Sequence, residues 1–280
     1  MRKLSEIVFS LWLVCVVASS QPTAPPVAIE PVADNTPTAP PPVLPVLPAV
    51  QRQERHNAIH WKSLAREWWL WIVIEQTERI VKETKTRHQL SGPFFSDWFH
   101  TVSAYHFDNW DDGGKYITSY LAHPTQGAIA EAIFWQNNDR VRFSEQDFRS
   151  STYRNALLQA FAFATVDAVL WKMGPLSESS IGNVGLPTHF WDRDCKALRI
   201  PCVDRPGVSD MVMNEVGGTA LTIGFQWLDQ HVQKGMIENR FQSRAVIDTT
   251  RIITNPPASV ANLVRFRRPW YRDNRASERR

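Results

Sequence analysis

A histidine, a glycine and a glutamate recur at four-residue spacing in the middle of the chain. His123, Gly127 and Glu131 lie at i, i+4 and i+8, so a helix that continues past Pro124 places all three on one face. The absent side chain of Gly127 leaves a gap where a ligand or another helix can approach closely. His123 is a candidate general base or acid, because imidazole titrates near neutral pH. The alternative is that Pro124 begins a helix and His123 only caps it.

A second polar stretch joins a carboxylate to small residues. Asp210, Asn214 and either Gly217 or Gly218 share one helical face. Ser209 or Asp210 is also a natural N-cap, and we expect at least one of them to cap this helix. The stretch therefore offers a carboxylate to orient His123, with a structural role as the alternative.

Three glycines in the Asp210 segment indicate close helix contact. Gly217, Gly218 and Gly224 cost stability inside a helix, and small residues allow two helices to approach each other. We therefore predict that the His123 helix and the Asp210 helix cross at Gly127 and Gly217 or Gly218. This crossing brings the imidazole and the carboxylate within hydrogen-bond distance.

The third candidate is Glu178, in a segment whose composition from Gly174 to Asn183 predicts a loop. Glu178 either meets His123 across the domain or faces water. The candidate catalytic residues are thus His123, Asp210 and Glu178. The candidate binding residues are Gly127, Glu131, Asn214, Gly217 and Gly218.

The order of these residues resembles that of an uncharacterised family of bacterial envelope proteins marked by a His-Pro-x-x-Gly motif. The matching positions are His123-Pro124 with Gly127, then Glu178, then Ser209-Asp210 with Asn214 and Gly217 or Gly218. The chain is more distantly similar to the VanZ-like and YfiM-like helical families. The resemblance covers residues 108–224 and implies a helical envelope or membrane-associated protein with no established enzymatic activity. The chain differs from the VanZ-like pattern in lacking long uninterrupted apolar spans.

Periodicity predicts an all-α protein, a compact helical bundle, without convincing strands. The predicted helical segments are His56 to Thr86, Lys115 to Asn137, Phe148 to Met173, Asp210 to Gln233 and Pro257 to Phe266. The third segment is the most apolar, yet its apolar part, Ala156 to Trp171, is shorter than the roughly 20 residues that cross a bilayer. The helices therefore fit either a globular bundle with a partly polar centre or a compact membrane unit around that centre.

The N-terminal residues predict export. A basic start at Arg2 and Lys3, an apolar run and small residues before Gln21 are typical of a signal peptide over residues 1–20. Residues 21–50 hold ten of the 19 prolines, which predicts a disordered, extended linker. The helical domain is expected over 51–272 and a basic disordered tail over 273–280.

Export also bears on whether the cysteines form a disulfide. Cys195 and Cys202 remain after removal of the signal peptide, and an oxidising compartment favours a disulfide between them. Two free thiols are the alternative. Neither a metal site nor a cofactor is expected, because no further ligands, phosphate-cradling loop or dinucleotide fingerprint accompany these residues.

The C-terminal segment is rich in arginine. Seven arginines between Arg265 and Arg280 face only Asp273 and Glu278. This tail either contacts anionic lipid head groups or is a solvated terminus. We expect membrane lipids or an envelope protein as partners, and no nucleic acid or nucleotide.

Together these features predict an exported protein of the periplasm or cell envelope, membrane-associated and structural or organisational in role. The alternative is a hydrolase or transferase that acts on a lipid or cell-envelope substrate with a histidine–carboxylate site. A third interpretation is a binding module for an amphipathic ligand. Convergence of His123, Glu178 and Asp210 at an open cleft would favour the enzyme.

Overall fold

The structure is a computed structural model that describes residues 59–82, 86–87, 90, 93–103, 105, 107, 110, 116–143, 147–182 and 207–275. The described residues belong to the second of two units, which meet between Asn57 and Ala58. The predicted signal peptide and linker, Cys195 and Cys202, and residues 276–280 lie outside the described ranges.

The predicted all-α class is confirmed, since the described residues form helices and no strand. The α-helices are α1 (Trp61–Lys82), α2 (Phe94–Ser103), α3 (His123–Gln136), α4 (Asp139–Arg142), α5 (Ser151–Met173), α6 (Ser209–Val212), α7 (Gly218–Trp227), α8 (Glu238–Arg240), α9 (Arg244–Thr254) and α10 (Pro256–Val264). The π-helical segments are π1 (Thr118–Ala122), π2 (Glu178–Gly182), π3 (Met213–Gly217) and π4 (Leu228–Ile237).

The helix continues through Pro124. Ile117, Ala122 and His123 all have right-handed helical dihedrals, so π1 runs directly into α3. Proline lacks an N–H and its ring clashes with the carbonyl four residues earlier. The wider π turn lies directly before Pro124, where His123 N–H donates to Thr118 O, five residues back. Such insertions are frequent at functional sites.

Helix α3 lies at the centre of the domain. Its residues from His123 to Trp135 are buried, with Thr125 the one half-buried exception, and it packs against α5, α7, α10 and π3. The apolar core surrounds the C-terminal half of α3. Its buried members include Leu64, Trp71, Ile129, Ile133, Phe134, Trp135, Val141, Tyr153, Ala156, Ala160, Ala261 and Val264. The N-terminal half of α3 faces polar side chains instead.

Side-chain caps set several helix starts. The side chains of Asn138, Ser150 and Asn255 accept backbone N–H groups at the starts of α4, α5 and α10, which satisfies donors that have no intrahelical partner. Helices α2, α4, α8 and α9 lie outside the predicted helical segments. The first three have ten residues or fewer, too few for apolar periodicity to distinguish them from loops.

The predicted tail begins inside the folded domain, which corrects the boundary expected at residue 272. Asp273 and Arg275 are buried, as is Arg272. Arg272 Nε and Arg275 Nη2 lie 3.2 and 3.0 Å from the two carboxylate oxygens of Asp229. Arg275 Nε also lies 3.1 Å from Glu238. The composition of the C-terminal segment suggested that it is solvated or bound to lipid. Its acidic partners, Asp229 and Glu238, lie far away along the chain, so composition could not reveal them.

The outer surface is unusually apolar. Exposed large side chains include Trp69, Val73 and Ile74 on α1, Phe95 and Phe99 on α2, Leu158, Val166, Val169 and Leu170 on α5, and Ile223 and Trp227 on α7. One helical stretch, Ser151–Ser180, is long and apolar enough to cross a membrane by length and composition alone.

Candidate functional site

Three glycines bring two helices into contact at the N-terminal end of α3. A Cβ built on Gly127 would lie 1.9 Å from the carbonyl oxygen of Asn214. A Cβ on Gly217 would lie 2.9 Å from the ring of Pro124, and one on Gly218 would lie 3.0 Å from the backbone of α3. The predicted crossing of these helices is therefore confirmed. Among the described residues, nothing lies within 4 Å of the Cβ position of Gly224, so the helix contact predicted for it is wrong within this part of the chain.

The crossing joins His123 to Asp210. His123 Nε2 lies 3.0 Å from Asp210 Oδ2, and both side chains are about 95% buried. His123 Nδ1 lies 3.2 Å from Gln126 Oε1, one turn along α3. The imidazole thus lies between a carboxylate and an amide, close to Asp210 as the spacing predicted, although the contact at Nε2 does not have hydrogen-bond geometry.

A buried lysine completes the cluster. Lys172 Nζ, at the end of α5, donates to Asp210 Oδ2 at 2.6 Å and to Glu178 Oε2 at 2.5 Å. Its side chain is only 2% exposed. The ammonium therefore bridges two carboxylates. A buried charge is stable only when opposite charges or hydrogen bonds compensate for its loss of water. We call His123, Lys172, Glu178 and Asp210 the polar cluster.

A serine-rich turn returns Glu178 to the end of α5. Ser179 Oγ donates to the carbonyl of Lys172 at 2.6 Å. The backbone N–H groups of Ser177 and Ser179 donate to the hydroxyls of Ser180 and Ser177, respectively. These bonds fold the loop over the helix end and direct Glu178 inward. The alternative that Glu178 faces water is therefore wrong.

Nearby charges, rather than contact with solvent, determine the protonation state of Glu178. Burial disfavours its carboxylate form, but the positive charges of Lys172 and Arg79 lower its pKa below the ordinary value. The ionised carboxylate suits the short contact with Lys172.

The cluster also has the donor set of a metal site. His123, Glu178 and Asp210 can each offer one ligand atom, and these atoms lie within 4.8 Å of one another. Lys172 Nζ contacts both carboxylates, so the lysine ammonium supplies the positive charge that a cation would supply. A cation here would have to displace that ammonium from Glu178 and Asp210.

Further acidic groups lie beside the cluster on α1 and α5. Gln126 contacts Glu75, whose pKa is raised well above the ordinary value by burial and by the negative charge of Asp167. Trp68 Nε1 donates to Asp167 Oδ1 at 2.6 Å. Burial raises the pKa of Asp167 to about 6. Two carboxyl groups near Gln126 thus have pKa values above the ordinary range.

We expect Asp167→Asn to stabilise the protein at pH 7.5 by about 2–3 kcal/mol and to have little effect near pH 4. Asp167 titrates near 3.9 when unfolded and near 6 when folded. The folded state therefore binds the extra proton, and stability falls as pH rises from about 4 to 6. Denaturant unfolding at several pH values measures this difference.

The exposed Asp147 provides the control, because Asp147→Asn should leave the pH profile of stability unchanged. An Asp167→Asn profile parallel to that of the wild type would show that Asp167 is ionised in the fold at low pH.

The remaining candidate residues are buried but separate from the polar cluster. Glu131 is fully buried and accepts a hydrogen bond from Thr219. Burial raises its pKa, and the nearby hydroxyl groups of Thr219 and Thr222 oppose that shift. Asn214 is 1% exposed and forms the helix contact at Gly127. These positions hold helices together, and a ligand-binding role for them stays a prediction.

Sequence reasoning missed Lys172 and misassigned the cap. The N-cap of α6 is Val208, and no side chain caps this helix, so the predicted cap at Ser209 or Asp210 is wrong. Asp210 instead binds His123 and Lys172. Lys172 lies five residues after Asp167 in an apolar run, and charged residues in such a run are a usable signal for a buried pair.

Comparison of the chain with protein-family models, with curated proteins and with solved structures finds no match. The interpretation of the site therefore depends on its geometry.

Proposed function

We propose that this chain is an exported, membrane-associated helical protein of the cell envelope with a structural or organisational role. The observation that carries the proposal is a set of exposed large apolar side chains next to a buried group of charged side chains. Charged side chains are buried around the N-terminal half of α3, while large apolar side chains are exposed around them.

Helix α5 shows both features. Its buried face consists mainly of Ala156, Ala160, Ala164 and Ala168, with Asp167 and Lys172 also inward. Its exposed face carries Leu158, at 66% exposure, and Val166, at 55%. Small and polar residues inside with branched apolar residues outside are the pattern of helices that contact lipid. Lipid on this face would remove the exposed apolar surface from water.

The structural role is supported by the burial and close contacts of the polar cluster. Lys172 binds both carboxylates, His123 Nε2 lies 3.0 Å from Asp210, and three of these four side chains are at least 94% buried. Such a cluster specifies how the N-terminal end of α3, the end of α5 and α6 meet. Specificity of packing is an attested use of buried polar groups.

Membrane association is tested by flotation of the purified mature protein with vesicles of phosphatidylethanolamine and phosphatidylglycerol. We expect the protein to float with the vesicles in high salt. Replacing both Val166 and Val169 with lysine should release it, because charge on the apolar face is costly in lipid. A single lysine at the exposed Gln242, in Gln242→Lys, should have no effect, and neither Val166→Lys nor Val169→Lys alone should be as harmless. Retention of the valine variant on vesicles would contradict this face as the lipid contact.

The structural role is tested by His123→Ala. We expect a loss of about 1–3 kcal/mol in the free energy of unfolding, because Asp210 and Gln126 each lose a buried partner. Thermal melts of His123→Ala and Asp210→Asn provide the measurement. Unchanged melting temperatures in both variants, together with loss of an envelope phenotype, would favour a catalytic role instead.

The second candidate is an enzyme acting on a lipid or cell-envelope substrate. One specific observation favours it, namely the 3.0 Å contact between His123 Nε2 and Asp210. In this arrangement Asp210 orients the imidazole, and His123 acts as general base or acid. The burial of both side chains favours the structural role, since a substrate needs access to the imidazole.

A further inference from the structure

A second polar region lies apart from the polar cluster and encloses a cavity of about 90 Å³. Its walls come from α3, α4, α7, α10 and the C-terminal segment, and it shares no residue with the polar cluster. The side chains that matter here are Trp135, Gln136, Arg142, Arg265 and Arg272. A water molecule needs only about 10–15 Å³ of such volume, so the cavity has room for several waters or one tetrahedral oxyanion.

Four polar atoms on residues that line the cavity have no hydrogen-bond partner among the described residues. They are the donors Trp135 Nε1 and Arg142 Nε, the acceptor Gln136 Oε1 and the hydroxyl Thr222 Oγ1, which can donate or accept. Trp135 is 94% buried, so bulk water does not satisfy its indole. Buried polar groups without partners call for a bound species. That species must accept at least two hydrogen bonds and donate at least one.

The charge of the wall favours an anion. Arg142, Arg265 and Arg272 line the cavity together with Asp229 and Asp273, which leaves one positive charge in excess. Arg265 Nη2 and Arg142 Nη2 share the carboxylate of Asp273, at 2.6 and 3.1 Å. Burial lowers the pKa of Arg265, and the charge of Arg142 lowers it further. A second anion beside these guanidinium groups would relieve that repulsion.

From this geometry we propose that the cavity binds a phosphate group with at least one protonated oxygen, either as inorganic phosphate or as a phosphate monoester. Its anionic oxygens accept from Trp135 Nε1 and Arg142 Nε, and its P–OH donates to Gln136 Oε1. Arginine is suited to phosphate oxygens by charge and by geometry. Sulfate has the same tetrahedral shape, but at pH 6 it carries no proton that it could donate to Gln136 Oε1.

Isothermal titration calorimetry of the full mature protein at pH 6 tests the site with inorganic phosphate, glycerol 3-phosphate, sulfate and chloride at equal ionic strength. We expect phosphate to bind at least tenfold more tightly than sulfate, and chloride to give no heat of binding. Tighter binding of glycerol 3-phosphate than of inorganic phosphate would identify a monoester as the ligand, and the reverse order would identify free phosphate. Equal binding of phosphate and sulfate, or no binding of either, would overturn the proposal.

The matched variant is Gln136→Met, which keeps the side-chain length and removes the acceptor. We expect phosphate affinity to fall at least tenfold, to the level of sulfate, while Gln242→Met on the exposed surface leaves both affinities unchanged. Phosphate affinity retained by a folded Gln136→Met protein would contradict the assigned contact. Because Gln136 Nε2 also donates to Ala258 O at 3.1 Å, the wild-type comparison of phosphate with sulfate decides the matter if this variant does not fold.

Discussion

Replacing Lys172 with methionine is expected to lower the free energy of unfolding by about 3–5 kcal/mol, because it leaves two buried carboxylates without their counter-charge. Lys172 Nζ lies within 2.6 Å of both Asp210 and Glu178. For a domain of this size the loss corresponds to a fall of roughly 10 °C in melting temperature. Thermal and denaturant unfolding of the purified variant provide the measurement.

Two controls separate charge from packing in this experiment. The exposed Lys62 should tolerate Lys62→Met with little change in stability. A triple variant that adds Glu178→Gln and Asp210→Asn to Lys172→Met should recover at least half of the loss, because the carboxylates it neutralises no longer need a cation. If Lys172→Met melts within about 1 °C of the wild type, the ion pairs do not stabilise the fold.

Gly127→Ala is expected to destabilise the protein by about 3 kcal/mol or more, the upper range for overpacking a buried site. The new Cβ would lie 1.9 Å from the backbone oxygen of Asn214 and 2.6 Å from its Oδ1. Backbone cannot rotate away as a flexible side chain can, so the two helices must separate. Separation would also lengthen the contact between His123 and Asp210.

The chain provides a matched substitution at Gly224, which lies inside α7 with open space at its Cβ position. Gly224→Ala should stabilise the protein by up to about 1 kcal/mol, since alanine favours the helix. Opposite signs at the two glycines are thus expected in denaturant unfolding. Equal changes in the free energy of unfolding at both positions would show that the two helices can separate at Gly127 without loss of stability.

Local periodicity was sufficient to predict the helical class and one long-range contact, that between the His123 and Asp210 helices. His123, Gly127, Asp210 and Gly217 could be placed because a helix has a fixed period, and glycines that cost stability indicate where helices touch. The contact between imidazole and carboxylate then followed from the crossing of the two segments.

The sequence by itself thus determined which residues share a helical face, whereas only the tertiary structure decided which faces turn inward. A lysine at the end of an apolar helix, such as Lys172, can be exposed at the helix terminus or buried in an ion pair. A glutamate in a loop, such as Glu178, can face water or form a salt bridge. The arginines of the C-terminal segment meet Asp229 and Glu238, which lie more than 30 residues earlier. Burial of a charge depends on a counter-charge from another element, and local composition and spacing do not contain that information.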